Sequence, residues 1–195
     1  MIAFEMANAW LRIGISRCLI GDLVRGDGGH AAAPVLVAWL AAHAELVPIC
    51  PEVEVGMGTP REPTHLQLSP KGVRSGDHRV RLVGVESGTA WTSRMHDWAA
   101  RQAGKWAAAG VAGAVLKSDS PSCGVAGVRV QSGELVLSGR GLFAEALADA
   151  LPGLPMVGES DLDTPRGTRG LSRGGAGVPG VISRGARSRP EPDRF

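Results

Sequence analysis

Short apolar runs alternate with alanine-rich stretches along residues 1–164, and this alternation limits the folds open to the 195-residue chain. Apolar runs bounded by turn residues are typical of strands buried in a sheet, whereas the alanine-rich stretches have helical periodicity. Strands and helices in alternation indicate an α/β layer fold. We therefore expect a single domain with a mostly parallel sheet and flanking helices, a Rossmann-like three-layer arrangement.

Turn residues and hydrophobic periodicity place the individual elements. Strands are predicted over residues 10–15, 46–49, 79–85, 111–116 and 154–157, with a hairpin of residues 128–130 and 134–137 around Ser132-Gly133. Helices are predicted over residues 34–44, from a cap at Thr89 to about residue 109, and over residues 142–151. Residues 51–63 are rich in Gly and Pro and are predicted to be a loop.

The end of the chain differs from the rest in composition. Residues 165–195 contain seven Arg, seven Gly and four Pro but only two acids, for a net charge of +5. Residues 1–164 contain fourteen basic and seventeen acidic side chains, for a net charge of −3. We predict a folded domain over residues 1–164 and a disordered Arg/Gly/Pro-rich tail over residues 165–195. Such a tail is either a solvated extension or a weak contact for nucleic acid.

Composition also bears on the compartment. No stretch approaches the roughly 18 to 20 apolar residues that a membrane span needs, so we expect no membrane partner. Three cysteines are too few and too widely spaced for a disulfide framework, and an odd number leaves one unpaired. These features predict a cytoplasmic protein with reduced thiols.

Each cysteine lies just past the carboxyl end of a predicted buried strand. Cys18 follows residues 10–15, Cys50 follows residues 46–49, and Cys123 comes shortly after residues 111–116. In an open parallel sheet, the loops beyond these strand ends line the ligand crevice. We therefore expect the three thiols to lie close together, although any one of them could be a small buried hydrophobe.

Three gathered thiolates suit more than one metal group. A structural zinc ion needs a fourth ligand, for which His30 or His43 is available, but the chain has no Cys-x-x-Cys pair. A cubane iron–sulfur cluster held by three thiolates leaves one iron open as a Lewis acid. The spacing of the cysteines alone does not choose between them.

Three sequence blocks resemble the DUF523 family, which includes bacterial thiouracil desulfidases. The resemblance covers about residues 12–160, and its blocks are residues 15–28, residues 50–61 from Cys50-Pro51-Glu52-Val53 to Thr59-Pro60-Arg61, and residues 116–124. The last block reads Leu-Lys-Ser-Asp-Ser-Pro-Ser-Cys-Gly and is highly specific. Membership implies a 4Fe-4S cluster on Cys18, Cys50 and Cys123. It also implies non-redox, hydrolytic removal of sulfur from a thiolated nucleobase or nucleoside.

The resemblance further implies two catalytic side chains. Glu52 matches a carboxylate beside the second cysteine and is expected to take a proton from the attacking water. Ser120 matches a serine before the third cysteine and is expected to donate a hydrogen bond or relay a proton. Each has a plainer interpretation, Glu52 as a capping or salt-bridging surface carboxylate and Ser120 as a turn-forming serine. Four neighbours are candidates for contacting the substrate: Ser118, Ser122, Lys117 and Arg25.

Two other classes of protein are compatible with parts of the sequence. One is a zinc-stabilised α/β module without catalysis, whose Arg-rich tail holds nucleic acid. The other is a thiol redox enzyme, which the lack of a Cys-x-x-Cys pair disfavours.

Overall fold

The structure, a computed structural model, describes residues 10–69 and 79–162. The strands within these residues are β1 Leu11–Ser16, β2 Ala44–Ile49, β3 Thr64–Leu68, β4 Val80–Gly84, β5 Val111–Leu116, β6 Val128–Ser132, β7 Leu135–Gly139 and β8 Met156–Gly158. The α-helices are α1 Arg17–Ile20, α2 Pro34–Ala41, α3 Pro51–Glu54, α4 Thr92–Ala108 and α5 Leu142–Ala150. The predicted tail, residues 165–195, lies outside the described residues.

Four strands form the parallel sheet that the alternation predicts. Their order is β2-β1-β5-β8, with every neighbouring pair parallel. The central strand β1 pairs with β2 along its whole length, from Leu11 opposite Ala44 to Ser16 opposite Ile49. We call this sheet A, and it confirms the predicted α/β class.

Helices cover both faces of sheet A because its strands alternate their side chains. Ile13 and Ile15 of β1 pack with Leu36 and Leu40 of α2 on one face. On the other face, Ala114 and Leu116 of β5 share a core with buried side chains of α4 and α5. These include Met95, Trp106, Phe143 and Leu147, all at most 1% exposed.

One glycine permits the close approach of α4 to sheet A. A Cβ atom on Gly14 of β1 would lie 2.2 Å from the Trp106 ring. The indole therefore lies directly on the strand backbone, where no other residue type fits.

A second sheet was only partly predicted. Its order is β4-β3-β6-β7, with antiparallel β3–β4 and β6–β7 pairs and a parallel β3–β6 pair. The sequence predicted β4 and the β6–β7 hairpin but no strand over Thr64–Leu68. Leu66 of that strand is fully buried in the same core as α4 and α5.

Several predicted boundaries are wrong. Thr89 does not cap α4: the helix starts at Thr92, whose hydroxyl instead accepts a hydrogen bond from the backbone N–H of Leu82 at 3.0 Å. Residues 51–63 are not all loop, since Pro51 begins the short helix α3. The last strand begins at Met156 rather than at residue 154. Among the described residues, no helix is long and apolar enough to cross a membrane.

Candidate functional site

The carboxyl ends of β1, β2 and β5 meet at one edge of sheet A. Helix α2, which comes after β1 and the short helix α1, packs on one face of sheet A. Helix α5, the first helix after β5, packs on the other face. Connections that leave on opposite faces open a crevice beyond the strand ends. A cavity of about 420 Å³ lies there, lined by residues 16–18, 24–26, 49–52, 61–64, 117–121 and Cys123.

All three cysteines line this cavity, as their positions after strands predict. Cys18 lies in α1 immediately after β1, Cys50 directly follows β2, and Cys123 lies in the loop after β5. Cys18 and Cys123 are buried, Cys50 is half-buried, and none forms a disulfide. The fold therefore gathers residues that are separated by up to 105 positions in the chain.

Burial and mutual proximity favour the neutral thiols. Burial, together with the neighbouring Cys50, raises the pKa of Cys18 to about 11. Burial also raises the pKa of Cys50 and of Cys123, although a hydrogen bond with the Ser16 side chain opposes the rise at Cys123. Three thiolates in such a site need a cationic group between them, as a metal core provides.

The donor set fits an iron–sulfur cluster better than a single ion. Within the described ranges, no three His, Cys, Asp or Glu side chains converge on one ion position. A zinc ion would require four donors at about 2.0 to 2.3 Å. In a cubane each thiolate would bind a different iron, so three cysteines on different walls of one cavity are compatible with such a cluster.

Glu52 lies beside the cysteines and is held at both carboxylate oxygens. Its Oε2 accepts hydrogen bonds from Nε of Arg61, at 3.0 Å, and from Nη2 of the same guanidinium. Its Oε1 accepts one from the Ser122 hydroxyl at 2.8 Å. Glu52 is therefore salt-bridged, as its plainer interpretation allows, but the side chain is only 15% exposed and lines the cavity rather than the outer surface.

The three serines before Cys123 have different surroundings. The Ser120 hydroxyl lines the cavity and accepts hydrogen bonds from the backbone N–H groups of Ser122, at 3.2 Å, and Cys123, at 3.0 Å. Ser122 is fully buried behind Glu52. The Ser118 hydroxyl bonds that of Ser160 at 2.7 Å. Ser120 thus shapes the loop and also faces the cavity.

The two predicted cations line the cavity but already have carboxylate partners. Lys117 bonds Glu159 through its ammonium group, and its backbone N–H donates to the Ser16 hydroxyl at 2.9 Å. Arg25 donates to Asp27 at 3.4 Å, with 42% of the arginine side chain exposed. Arg25 is therefore the freer of the two to meet a ligand.

The sequence did not single out Arg61 or Glu159 as functional residues. Arg61 is 8% exposed, and Glu159 accepts hydrogen bonds from both the Lys117 side chain and the Ser118 backbone. Arg61 stood in the Thr59-Pro60-Arg61 block, which was the available signal. Nothing in the sequence around Glu159 marked it as part of the site.

These features define an α/β protein with a crevice at the carboxyl edge of a parallel sheet that is lined by three free cysteines. The chain belongs to the 2-thiouracil desulfurase family, whose model matches residues 13–159. It is 29% identical over 151 residues to the uncharacterized protein YbbK of Bacillus subtilis (strain 168), covering 76% of this chain and 96% of that protein. The solved structure of the [4Fe-4S]-dependent thiouracil desulfidase TudS is similar, with a TM-score of 0.60 and 31% identity, covering 78% and 93% of the two chains.

Proposed function

We propose that this protein is a 4Fe-4S-dependent desulfidase that removes sulfur from a thiolated pyrimidine such as 2-thiouracil or 4-thiouracil. The products are the oxo-base and hydrogen sulfide. The observation that carries the proposal is that three cysteines and Glu52 line one cavity in a chain of the 2-thiouracil desulfurase family. The cofactor named for the similar structure TudS supports the same assignment here.

Cys18, Cys50 and Cys123 would hold the cluster as thiolates. Their placement on three elements around the cavity supports this assignment. When bound, a cluster with three protein thiolates supplies one iron without a protein ligand, which acts as a Lewis acid toward the substrate sulfur.

Glu52 supplies the base for a hydrolytic exchange. A water oxygen attacks the ring carbon that carries sulfur, and the free lone pair on Oε1 of Glu52 accepts one of the water protons. The carbon–sulfur bond breaks, and the sulfur leaves as hydrosulfide carrying that proton. The second water proton is released from the attacking oxygen as the carbon–oxygen double bond forms, so hydrosulfide and this proton together make up hydrogen sulfide. Water and thiolated base become oxo-base and hydrogen sulfide, so no electron is gained or lost.

The remaining residues bind and orient the substrate. Ser120 uses its lone pairs for two backbone N–H groups, which leaves the hydroxyl proton free to donate to the ring or to the departing sulfur. Lys117, Ser118 and Arg25 line the same cavity and offer donors to ring oxygen or nitrogen atoms. Ser122 acts on Glu52, to which it donates, rather than on the substrate.

The substrate class extends to the nucleoside. A second cavity of about 320 Å³ adjoins the first and shares Thr64, Asp119 and Pro121 with it. This space supports binding of a ribose attached to the base. The free state of all three cysteines supports a reducing, cytoplasmic setting.

Metal and sulfide analysis of anaerobically purified protein tests the cofactor and the activity together. We expect four irons and four acid-labile sulfides per chain, a brown colour, and sulfide release from 2-thiouracil, 4-thiouracil or their nucleosides. Each substrate should yield its oxo-base in a one-to-one ratio with sulfide, without an added reductant. A colourless zinc protein that retains nucleic acid would instead support the zinc-stabilised binding module.

A further inference from the structure

Arg61 makes more hydrogen bonds than it would need to neutralise the charge of Glu52. Besides its bonds to Glu52, its Nη1 donates to the backbone oxygens of Val24, at 2.9 Å, and Gly58, at 2.8 Å. Its own backbone N–H donates to the oxygen of Gly26 at 2.9 Å. The Arg61 side chain is 8% exposed, and its bonds to Glu52 and Val24 are partly buried, where a hydrogen bond is stronger than in water.

We propose that Arg61 is a positioning residue that holds the Glu52 carboxylate in the orientation needed to take a proton from water. This inference rests on the proposed function, because it assigns Arg61 a task in that reaction. Arg61 acts through Glu52 and is not itself required to touch the substrate.

The local backbone does not fix Glu52 by itself. The helix that carries it, α3, has four residues, and a glutamate side chain has three rotatable bonds. Arg61 fixes Oε2 through two N–H groups of one planar guanidinium, and Ser122 fixes Oε1 from the opposite loop. Oε2 accepts two hydrogen bonds and Oε1 accepts one, so the carboxylate is oriented and Oε1 keeps a lone pair that can accept a proton.

Arg61 also connects the segments that surround the site, to Val24 and Gly58 through its guanidinium and to Gly26 through its backbone N–H. Val24 and Gly26 belong to the loop between α1 and α2, and Gly58 to the loop between α3 and β3. A lysine has a single point of charge and does not reproduce this planar fork. We therefore expect Arg61→Lys to retain the positive charge but to lose the orientation of Glu52.

The test compares Arg61→Lys and Arg61→Gln with the wild-type full chain, all loaded anaerobically. Misplacement of a reacting group by about 1 Å costs roughly 100-fold in rate. We expect iron and acid-labile sulfide per chain to stay at wild-type values, kcat per cluster to fall about 10-fold in Arg61→Lys and about 100-fold in Arg61→Gln, and KM to change less than about 3-fold. The matched control is Arg12→Gln, an arginine that pairs with Glu45 at 2.8 Å and donates to Ala109 O, away from the cavity.

A purely structural role gives a different result. In that case Arg61→Lys has fewer clusters per chain or a lower Tm, but an unchanged kcat per cluster, and the inference is overturned. Glu52→Gln provides a second check, because adding Arg61→Gln to it should lower kcat no further. If the loaded wild type releases no sulfide, the proposed function fails and the inference with it; an active wild type with unchanged kcat in Arg61→Lys overturns the inference alone.

Discussion

At the scale of single residues, the two glutamates of the short helix α3 have different surroundings. Glu52 is 15% exposed and bonded to Arg61 and Ser122, whereas Glu54 is exposed on the surface of α3. They are two positions apart, so their helical directions differ. The pair offers a matched test of carboxylate function at this site.

Glu52→Gln should retain the cluster and lose sulfide release by about 100-fold or more, because an amide does not accept the water proton. Glu54→Gln should turn over at the wild-type rate. Anaerobic assays normalised to iron content measure both. Wild-type turnover in Glu52→Gln would remove this residue from the mechanism.

The serines permit a similar comparison. Ser120→Ala should lower turnover per cluster by about 10-fold or more, since it removes the hydroxyl proton offered to the substrate. It should also destabilise the fold by about 1 kcal/mol, because the N–H groups of Ser122 and Cys123 lose their acceptor. Ser160→Ala, on the exposed partner of Ser118, is the control. Full activity in Ser120→Ala would leave it only the turn-forming role.

At the scale of elements, the sequence predicted sheet A well and missed strand β3 of the second sheet. Residues 111–116 form an uninterrupted apolar run, as a strand buried on both faces must. In β3 the residues His65 and Gln67 interrupt the apolar pattern, and only Leu66 is fully buried. The pairing of β3 with both β4 and β6 depends on long-range contacts that local pattern does not encode.

The candidate site was likewise predicted only in part from the sequence. Strand-end position was enough to predict that the cysteines come together, because parallel strands end at a common edge. The contacts of Glu52 with Arg61 and Ser122 were not predicted, since Ser122 is 70 residues from Glu52 and side-chain direction in loops is set by tertiary packing. The roles of Glu52 and Ser120 stay predictions.

The contact between β1 and α4 is tested by two alanine substitutions. Gly14→Ala should destabilise the protein by about 1 to 3 kcal/mol, because the new methyl group overlaps the Trp106 ring. Gly104→Ala, on the exposed side of α4 with no atom within 4 Å, should be neutral or stabilising by up to about 1 kcal/mol. Urea denaturation of both variants gives the comparison. Equal free energies of unfolding in the two variants would show that β1 and α4 can move apart at little energetic cost.

The end of β8 is joined to the loop after β5 through Glu159. Burial acts to raise the pKa of Glu159, but hydrogen bonds from Lys117 and Ser118 outweigh it and hold the pKa below its usual value. The ionised carboxylate is thus favoured in the folded protein, and its contribution to stability is present above the unfolded pKa of about 4.3. That contribution is lost as pH falls through the lower folded value.

Glu159→Gln should therefore reduce the free energy of unfolding at pH 7 by about 1 to 2 kcal/mol. The difference from wild type should shrink as pH falls below about 4. Denaturant titrations at pH 7 and pH 3.5 measure it, with exposed Glu134→Gln as the control. A difference independent of pH would assign the effect to packing rather than to charge.

At the scale of the whole molecule, the family match and the basic tail occupy different parts of the chain. The family model matches residues 13–159, and the site is built within them. Residues 165–195 carry a net charge of +5, and we propose that they form a solvated extension outside the catalytic domain.

A chain ending at residue 164 should keep wild-type turnover per cluster, because every residue of the site precedes that point. Its net charge changes from +2 to −3, so it should elute later from an anion exchanger. RNA binding at physiological salt should be equally weak with and without the tail. Submicromolar binding by the full chain alone would identify the tail as a nucleic-acid contact.

The cysteines follow three different strands, and this has a consequence for folding and for cofactor insertion. No contiguous fragment shorter than the span from Cys18 to Cys123 contains all three cysteines, and no two of them share a loop. A cluster held by all three cysteines would link the ends of β1, β2 and β5, so its binding energy would add to the stability of the folded state. Bleaching of the brown colour would then report unfolding of this sheet edge, and a nascent chain would bind its metal only after Cys123 had left the ribosome.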